Sequence, residues 1–306
     1  MRILVLGAGG IGGYFGGRLA KAGADVTFLV RPRRAAQLAE HGLVVKSPLG
    51  DFSTPVTTIS REQAGPGFDA VLLSCKAYDL EDAIASIRPV TGALVVPLLN
   101  GMLHLDALDA AFGPDNVAGG VAQIGITMDA DGTIRHLSRI DVCNQGPRNP
   151  AQTARSAALA KVLATGGFEA RHSETIVQDM WEKFVFLCTM AATCCLLRGN
   201  IKEVTATQDG KSVALEIFED CIGGATGAGF PPRGKFVEGS RVALTENPSV
   251  GEPSMLRDLR GGGEVEAGHI VGDMLARARA AGRAAPLLRA AYAHLQVYEG
   301  QRAGRG

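Results

Sequence analysis

Apolar and polar positions change their rhythm once along this chain. From Met1 to about His172, short continuous runs of aliphatic and β-branched residues alternate with stretches whose apolar residues recur every three to four positions. Runs this short are bounded by glycine and polar clusters, which fits strands buried on both faces better than helices. They are Ile3–Leu6, Val26–Val30, Val71–Cys75 and Leu94–Leu98, with further strand-like pieces at Val117–Ala122 and Ile134–Val142. Helical spacing fills the intervals at Ile11–Ala22, Arg34–His41, Leu80–Ile87 and Leu105–Phe112. Strands alternating with amphipathic helices predict a parallel sheet covered on both faces. Leu43–Ile59, interrupted by SPLGD, predicts an inserted hairpin.

Past His172 the strand signals stop. Thr175–Leu197, Lys211–Ala228, Arg233–Leu244 and Val265–Ala281 all carry helical periodicity, Leu287–Tyr298 closes the chain, and the tail GQRAGRG is expected to fray. The pattern therefore predicts an α/β domain over residues 1–172 followed by an all-α domain over residues 173–306. No internal repeat or low-complexity tract interrupts it.

Composition narrows the class. The 306 residues suit two domains. Lys and Arg total 31 against 31 Asp and Glu, so the chain lacks the basic excess of a general nucleic-acid binder. With 46% hydrophobic and 20% charged residues it reads as globular, not disordered. Cys75, Cys143, Cys188, Cys194, Cys195 and Cys221 form no CxxC pair and no zinc spacing, and the histidines have none either, so no metal is expected. Cysteines inside apolar runs read as reduced core thiols of a cytoplasmic protein. MRILVLGAGG breaks into glycines too early for a signal peptide. The longest apolar stretch, Phe184–Leu197, falls short of the ~20 residues of a membrane span, so no membrane partner is expected. Leu196–Leu197 and the helices after Lys211 are apolar enough to face a second copy in a homodimer.

The chemistry begins in the first turn. Gly7-Ala8-Gly9-Gly10-Ile11-Gly12 fits GxGxxG and lies between a strand and a helix, the context that a dinucleotide-binding loop requires. Gly7 serves the tight turn, Gly9 the close approach of a pyrophosphate, and Gly12 the packing of helix on strand, with the helix N-terminus aimed at the phosphates. At the end of the second strand an NAD enzyme places an acid. Here the chain reads Phe28-Leu29-Val30-Arg31-Pro32-Arg33-Arg34, and Asp25 comes too early. A guanidinium matches a 2′-phosphate, so NADP(H) is expected, with Arg31 as its first partner and Arg34 as its second. Lys76 and Asn100, at two further strand ends, should face the same nucleotide.

These segments, GAGGIGGYFGGRLAKAG, SCKAYD, LLNGM, WEKF and PSMLRDL…EVEAGHI, resemble the ketopantoate reductase (2-dehydropantoate 2-reductase) family in order from Met1 to about Ala285. The resemblance implies a Rossmann-type domain and a helical domain with substrate in the cleft between them. It also implies NADPH-dependent reduction of ketopantoate to pantoate on the way to pantothenate and coenzyme A. Gly7 to Gly12 would be the phosphate loop, Lys76 and Asn100 cofactor contacts, and Lys183 the general acid. Asn100 would also stand beside the substrate, and Ser254 would hold the substrate carboxylate. Glu266 would keep Lys183 protonated or hold the cofactor ribose. A lysine ammonium, with an ordinary pKa of about 10.4, can both stabilise and protonate the alkoxide formed by hydride transfer.

The resemblance lapses at one place. Leu187 and Ala191 follow Lys183 at helical spacing where the family pattern has substrate-gripping asparagines, and a third such position falls on Ile201, next to Asn200. Each lost hydrogen bond to a buried hydroxyl costs about 1–3 kcal/mol. Two readings stay open: a reductase of a bulkier or less polar 2-oxo acid, or a ketopantoate reductase using Thr189, Asn200 or Ser254 instead. The rival classes are an NADPH enzyme of the 3-hydroxy-acid dehydrogenase or imine reductase kind, and an NADPH-binding sensor without turnover.

Overall fold

Arg2–Leu6 (β1) forms the middle of a five-stranded sheet in which every pair is parallel. Asp25–Leu29 (β2) lies on one side and Ala70–Leu73 (β6) on the other, with Thr57–Ile59 (β5) and Leu94–Pro97 (β7) at the two edges. β6 and β7 are buried along their whole length, which is why each reads as an unbroken apolar run. The crossovers are Gly10–Lys21 (α1), Pro32–His41 (α2) and Leu80–Ile87 (α3), and His104–Phe112 (α4) follows β7. α1 comes close to the sheet: a Cβ on Gly16 would lie 2.8 Å from the Phe28 ring and 2.9 Å from Val5.

A second sheet departs from the expectation. Leu43–Lys46 (β3) and Phe52–Thr54 (β4) do form the expected antiparallel hairpin, but Thr57–Ile59 leaves it to become the edge strand β5. Gly119–Met128 (β8) and Ile134–Gly146 (β9) are not extensions of the parallel sheet. They pair antiparallel with each other, because the short turn between them, with Gly132 at φ +89°, reverses the chain. β9 also takes β3 and Glu169–His172 (β10) as parallel partners. Thr153–Leu163 (α5), alanine-rich and weakly periodic, packs on β9 and β10 and was not legible as a helix.

The computed structural model describes residues 1–246, 248 and 250–304. They divide into two compact units, residues 1–99 with 104–177, and residues 100–103 with 178–306. The second unit is helical: Ile176–Leu197 (α6) from Gln178 on, Ile201–Thr205 (α7), Gly210–Gly227 (α8), Gly234–Thr245 (α9), Ser254–Arg260 (α10), Asp273–Ala280 (α11) and Pro286–Ala303 (α12). α7 and α10 are too short to show a period. The helix expected over Val265–Ala281 starts later and opens with a π-helical stretch, Gly268–Gly272, before α11. The tail does not fray where expected, since α12 carries on to Ala303; residues 305–306 lie outside the described residues. α6 has 22 residues and is long and apolar enough by composition to cross a membrane, unlike the shorter run read from sequence. However, 67% of its most apolar window is buried, the pattern of a core helix.

Candidate active site

In the first unit the glycine loop has the geometry of an anion cradle. The Gly7 N–H donates to Leu29 O at 3.0 Å, and Gly7 sits at φ +90°, which only glycine adopts without strain. Gly9 is the N-cap of α1, with no side chain bonded to the cap and no acid in the first turn. The orphan N–H groups of that turn are therefore left for a ligand. A Cβ on Gly12 would stand 2.3 Å from Ser74 Oγ and 2.4 Å from Gly7 O, so helix and strand could not approach this closely with any other residue. A Cβ on Gly9 would meet nothing within 4 Å, so open space lies beside it, as a pyrophosphate needs. Ala8, Gly10 and Ile11 complete the loop, and Lys76 caps the short turn Ala77–Asp79 after β6. The residues present fit a nicotinamide dinucleotide.

The two arginines differ. Arg31 Nη2 meets Asp79 Oδ1 at 2.8 Å and Asp82 Oδ2 at 3.3 Å, while 72% of its side chain is exposed. Arg34 is half-buried. Its Nε donates to Ala8 O at 3.0 Å, bracing the glycine loop, and burial lowers its guanidinium from the ordinary value against the pull of Asp131. The acids at Arg31 could not be read from its own strand, because they come from around α3, roughly fifty residues on.

In the second unit, Lys183 Nζ donates to Asn100 Oδ1 at 3.0 Å. Lys183 is partly exposed on α6 among buried Trp181, Glu182, Phe184 and Val185. Glu182 anchors that turn: its carboxylate accepts from Arg233 N and Nε, each at 2.8 Å, and from Nη2 at 2.6 Å. Burial alone would raise the Glu182 carboxyl, but these donors outweigh it and hold it below its usual range. Beside Asn100, Gly101 at φ +81° leaves room for the His269 ring, which a Cβ there would approach to 2.8 Å. Glu266, 7% exposed, lies just before the turn that carries His269 and acts on it electrostatically. Burial lowers the His269 imidazole, and Glu266, the Asn100 backbone and Asp273 pull it partly back. Asn100 thus meets Lys183 through its side chain and His269 through its backbone, and His269, which no motif singled out, also feels the charge of Glu266.

The candidate substrate positions fare unevenly. Lys183, Phe186, Leu187 and Met190 are the incompletely buried residues of α6 between Glu182 and Cys195, so they form one stripe at helical spacing. Ala191 is 1% exposed, inside the core. Asn200 Oδ1 accepts from Glu203 N at 3.0 Å and its N–H donates to Glu203 Oε2 at 2.8 Å, a capping box that starts α7. Thr189, fully buried, donates to Val185 O at 2.8 Å. Ile201 is buried, and Ser254 opens α10. Among the described residues no group of His, Cys, Asp and Glu could hold a metal ion.

Comparison with known proteins gives these residues a family. Residues 3–149 match the family model Ketopantoate reductase PanE/ApbA, and residues 175–299 match Ketopantoate reductase PanE/ApbA C terminal. The chain belongs to the ketopantoate reductase family. Within reach of that family, it is 35% identical over 304 residues to the "Uncharacterized oxidoreductase YkpB" of Bacillus subtilis, covering 99% of this chain and 100% of that one. It is 26% identical to the 2-dehydropantoate 2-reductase of Pyrococcus abyssi, with 94% of each covered. Among solved structures, a PanE/ApbA family ketopantoate reductase from Ralstonia eutropha superposes with a TM-score of 0.88 at 25% identity over 99% of this chain and 100% of that one. D-mandelate dehydrogenase bound to NADH and anilino(oxo)acetate shares the fold, with a TM-score of 0.88 at 20% identity over 99% of this chain and 100% of that chain. The parallel-sheet unit and the helical unit are those of ketopantoate reductases, and the protein is an oxidoreductase of that family.

Proposed function

We propose that this protein reduces the keto group of a 2-oxo acid with NADPH, Lys183 serving as general acid. The observation that carries this is the 3.0 Å bond from Lys183 Nζ to Asn100 Oδ1 on a largely buried helix. When bound, the nucleotide would supply the hydride that the carbonyl carbon accepts. The carbonyl π pair moves onto oxygen, and Lys183 gives that oxygen a proton and is left as the neutral amine. Asn100 accepts one ammonium hydrogen and so orients the others. Glu266 adds negative charge that favours the protonated lysine. The N–H groups of Gly10 to Gly12 bind the pyrophosphate, Arg34 holds the loop that presents them, and Lys76 and Arg31 are the cationic partners of the nucleotide. Ser254 is the partner of the substrate carboxylate. The enzyme acts in the cytoplasm.

For the rest of the substrate, an apolar side chain fits better than the hydroxyl-bearing one of ketopantoate. Phe186, Leu187 and Met190 continue the Lys183 face without a polar atom other than the methionine sulfur. Of the residues that could have replaced missing amides, Asn200 has its Oδ1 engaged by the start of α7 and Thr189, fully buried, gives its hydroxyl hydrogen to the backbone of α6. A hydroxyl buried against that stripe would lose about 1–3 kcal/mol.

NADPH oxidation followed with ketopantoate, branched aliphatic 2-oxo acids and phenylglyoxylate tests both parts. The expected result is a kcat/KM at least about tenfold higher on the apolar acids, which is about 1.4 kcal/mol. A preference for ketopantoate overturns the apolar specificity, and no oxidation with any acid overturns the reductase.

A further inference from the structure

The end of β2 carries more charge than its own segment contributes. Arg31, two residues beyond that strand, is met by Asp79 at 2.8 Å and by Asp82 at 3.3 Å, and Arg61 Nη1 lies 3.0 Å from the other oxygen of Asp82. All four side chains are a third or more exposed. Two guanidinium groups against two carboxylates leave no net positive charge in this cluster.

Its place in the fold gives the cluster a consequence. In a sheet of this kind, the end of the second strand is where the adenine ribose is read: a carboxylate accepts from a 2′-hydroxyl, and an arginine takes a 2′-phosphate. A doubly charged phosphate needs a guanidinium with its fork open. Here the fork of Arg31 already faces Asp79, which stands three residues after Lys76 and therefore belongs to the same strand-end region. Exposed pairs of this kind are weak and exchange readily, so Arg31 stays available, but at the cost of a competitor.

We propose that Asp79 sets the balance between NADPH and NADH, competing with the 2′-phosphate for Arg31 and offering an acceptor to a 2′-hydroxyl. The inference rests on the reading that the glycine loop binds a nicotinamide dinucleotide. Asp79 is the N-cap residue of α3 yet makes no side-chain cap bond, so an amide there leaves the helix start intact.

The experiment is a titration of NADPH and NADH, read by nucleotide fluorescence without substrate, on wild type, Asp79→Asn, Arg31→Ala and the double variant. Asp79→Asn is expected to shift the NADPH-to-NADH affinity ratio toward NADPH by about fivefold or more, the fold-change of about 1 kcal/mol of pair competition. That shift should be clearly smaller in the Arg31→Ala background, where only the acceptor for the 2′-hydroxyl is lost. An unchanged ratio, or an equal shift with and without Arg31, overturns the proposal while nucleotide binding itself stands. Binding of neither nucleotide to the wild type overturns the dinucleotide reading, and this inference with it.

Discussion

Lys183 Nζ and Asn100 Oδ1 are 3.0 Å apart although 83 residues separate them in the chain. Four residues following the parallel sheet, Asn100–Leu103, belong to the helical unit and bring an amide to a helix-borne ammonium. Since the ammonium has three hydrogens and Asn100 takes one, the geometry of the remaining two is set by this bond.

Removing that acceptor should therefore misdirect the proton donor without removing it. Asn100→Ala is expected to lower kcat by roughly tenfold to a hundredfold, about 1.4–2.7 kcal/mol of transition-state stabilisation. Steady-state kinetics on the best 2-oxo acid measure it, and an unchanged kcat would mean that the bond has no part in turnover.

The glycine loop predicts two opposite outcomes from one kind of change. Gly9→Ala places a methyl in open space, so the protein should keep its stability and lose nucleotide affinity. Gly12→Ala drives a methyl against Gly7 O and Ser74 Oγ, and should cost stability, by about 1–3 kcal/mol as overpacking does. Thermal melts and nucleotide titrations of the two variants check this. Equal stability loss in both would contradict it.

His269 supplies a pH dependence of stability. Burial, its largest influence, holds the imidazole below its ordinary value, so the unfolded chain takes up that proton more readily. The contribution is fully present above about pH 6.5 and is lost as pH falls through the lower folded value. His294, lowered by burial and by Arg198, adds in the same direction. Urea midpoints measured on acidification should fall less steeply in His269→Gln than in wild type; identical slopes would show that His269 titrates normally.

Legibility from sequence followed how local the physics is. β1, β6 and β7 were visible because strands buried on both faces leave continuous apolar runs, and the Gly7–Gly12 loop was visible because its constraints fall within six residues. The second sheet was not, since β9 draws on β3, β8 and β10 from three separate stretches of chain. α7 and α10 are shorter than the window in which a helical period shows. The resemblance to ketopantoate reductases pointed to Lys183, Asn100 and Glu266. His269 carried no signal, because its place depends on Gly101 packing against it from 168 residues upstream in the sequence. Asp79 went unread as a neighbour of Arg31 for the same reason.

Thiol reactivity reports on the nucleotide region. Cys75, next to Lys76, is half-buried, whereas the other five cysteines are buried. Burial pushes Cys194 and Cys195 up to about 12, and Cys188 is raised as well. A thiolate is the reactive species, so a thiol reagent at neutral pH should label Cys75 first, and NADPH should slow that labelling. Mass spectrometry of the labelled peptide decides it; first modification at Cys194 or Cys195, or no slowing by NADPH, would contradict it.

The most direct test removes the ammonium itself. With the 2-oxo acid that the wild type reduces best, Lys183→Ala is expected to retain its melting profile and its NADPH affinity while kcat falls by about 10²–10⁴-fold, the range for loss of a general acid. A Lys183→Ala protein that turns over within about threefold of wild type, a difference below 1 kcal/mol, would show that the proton comes from elsewhere.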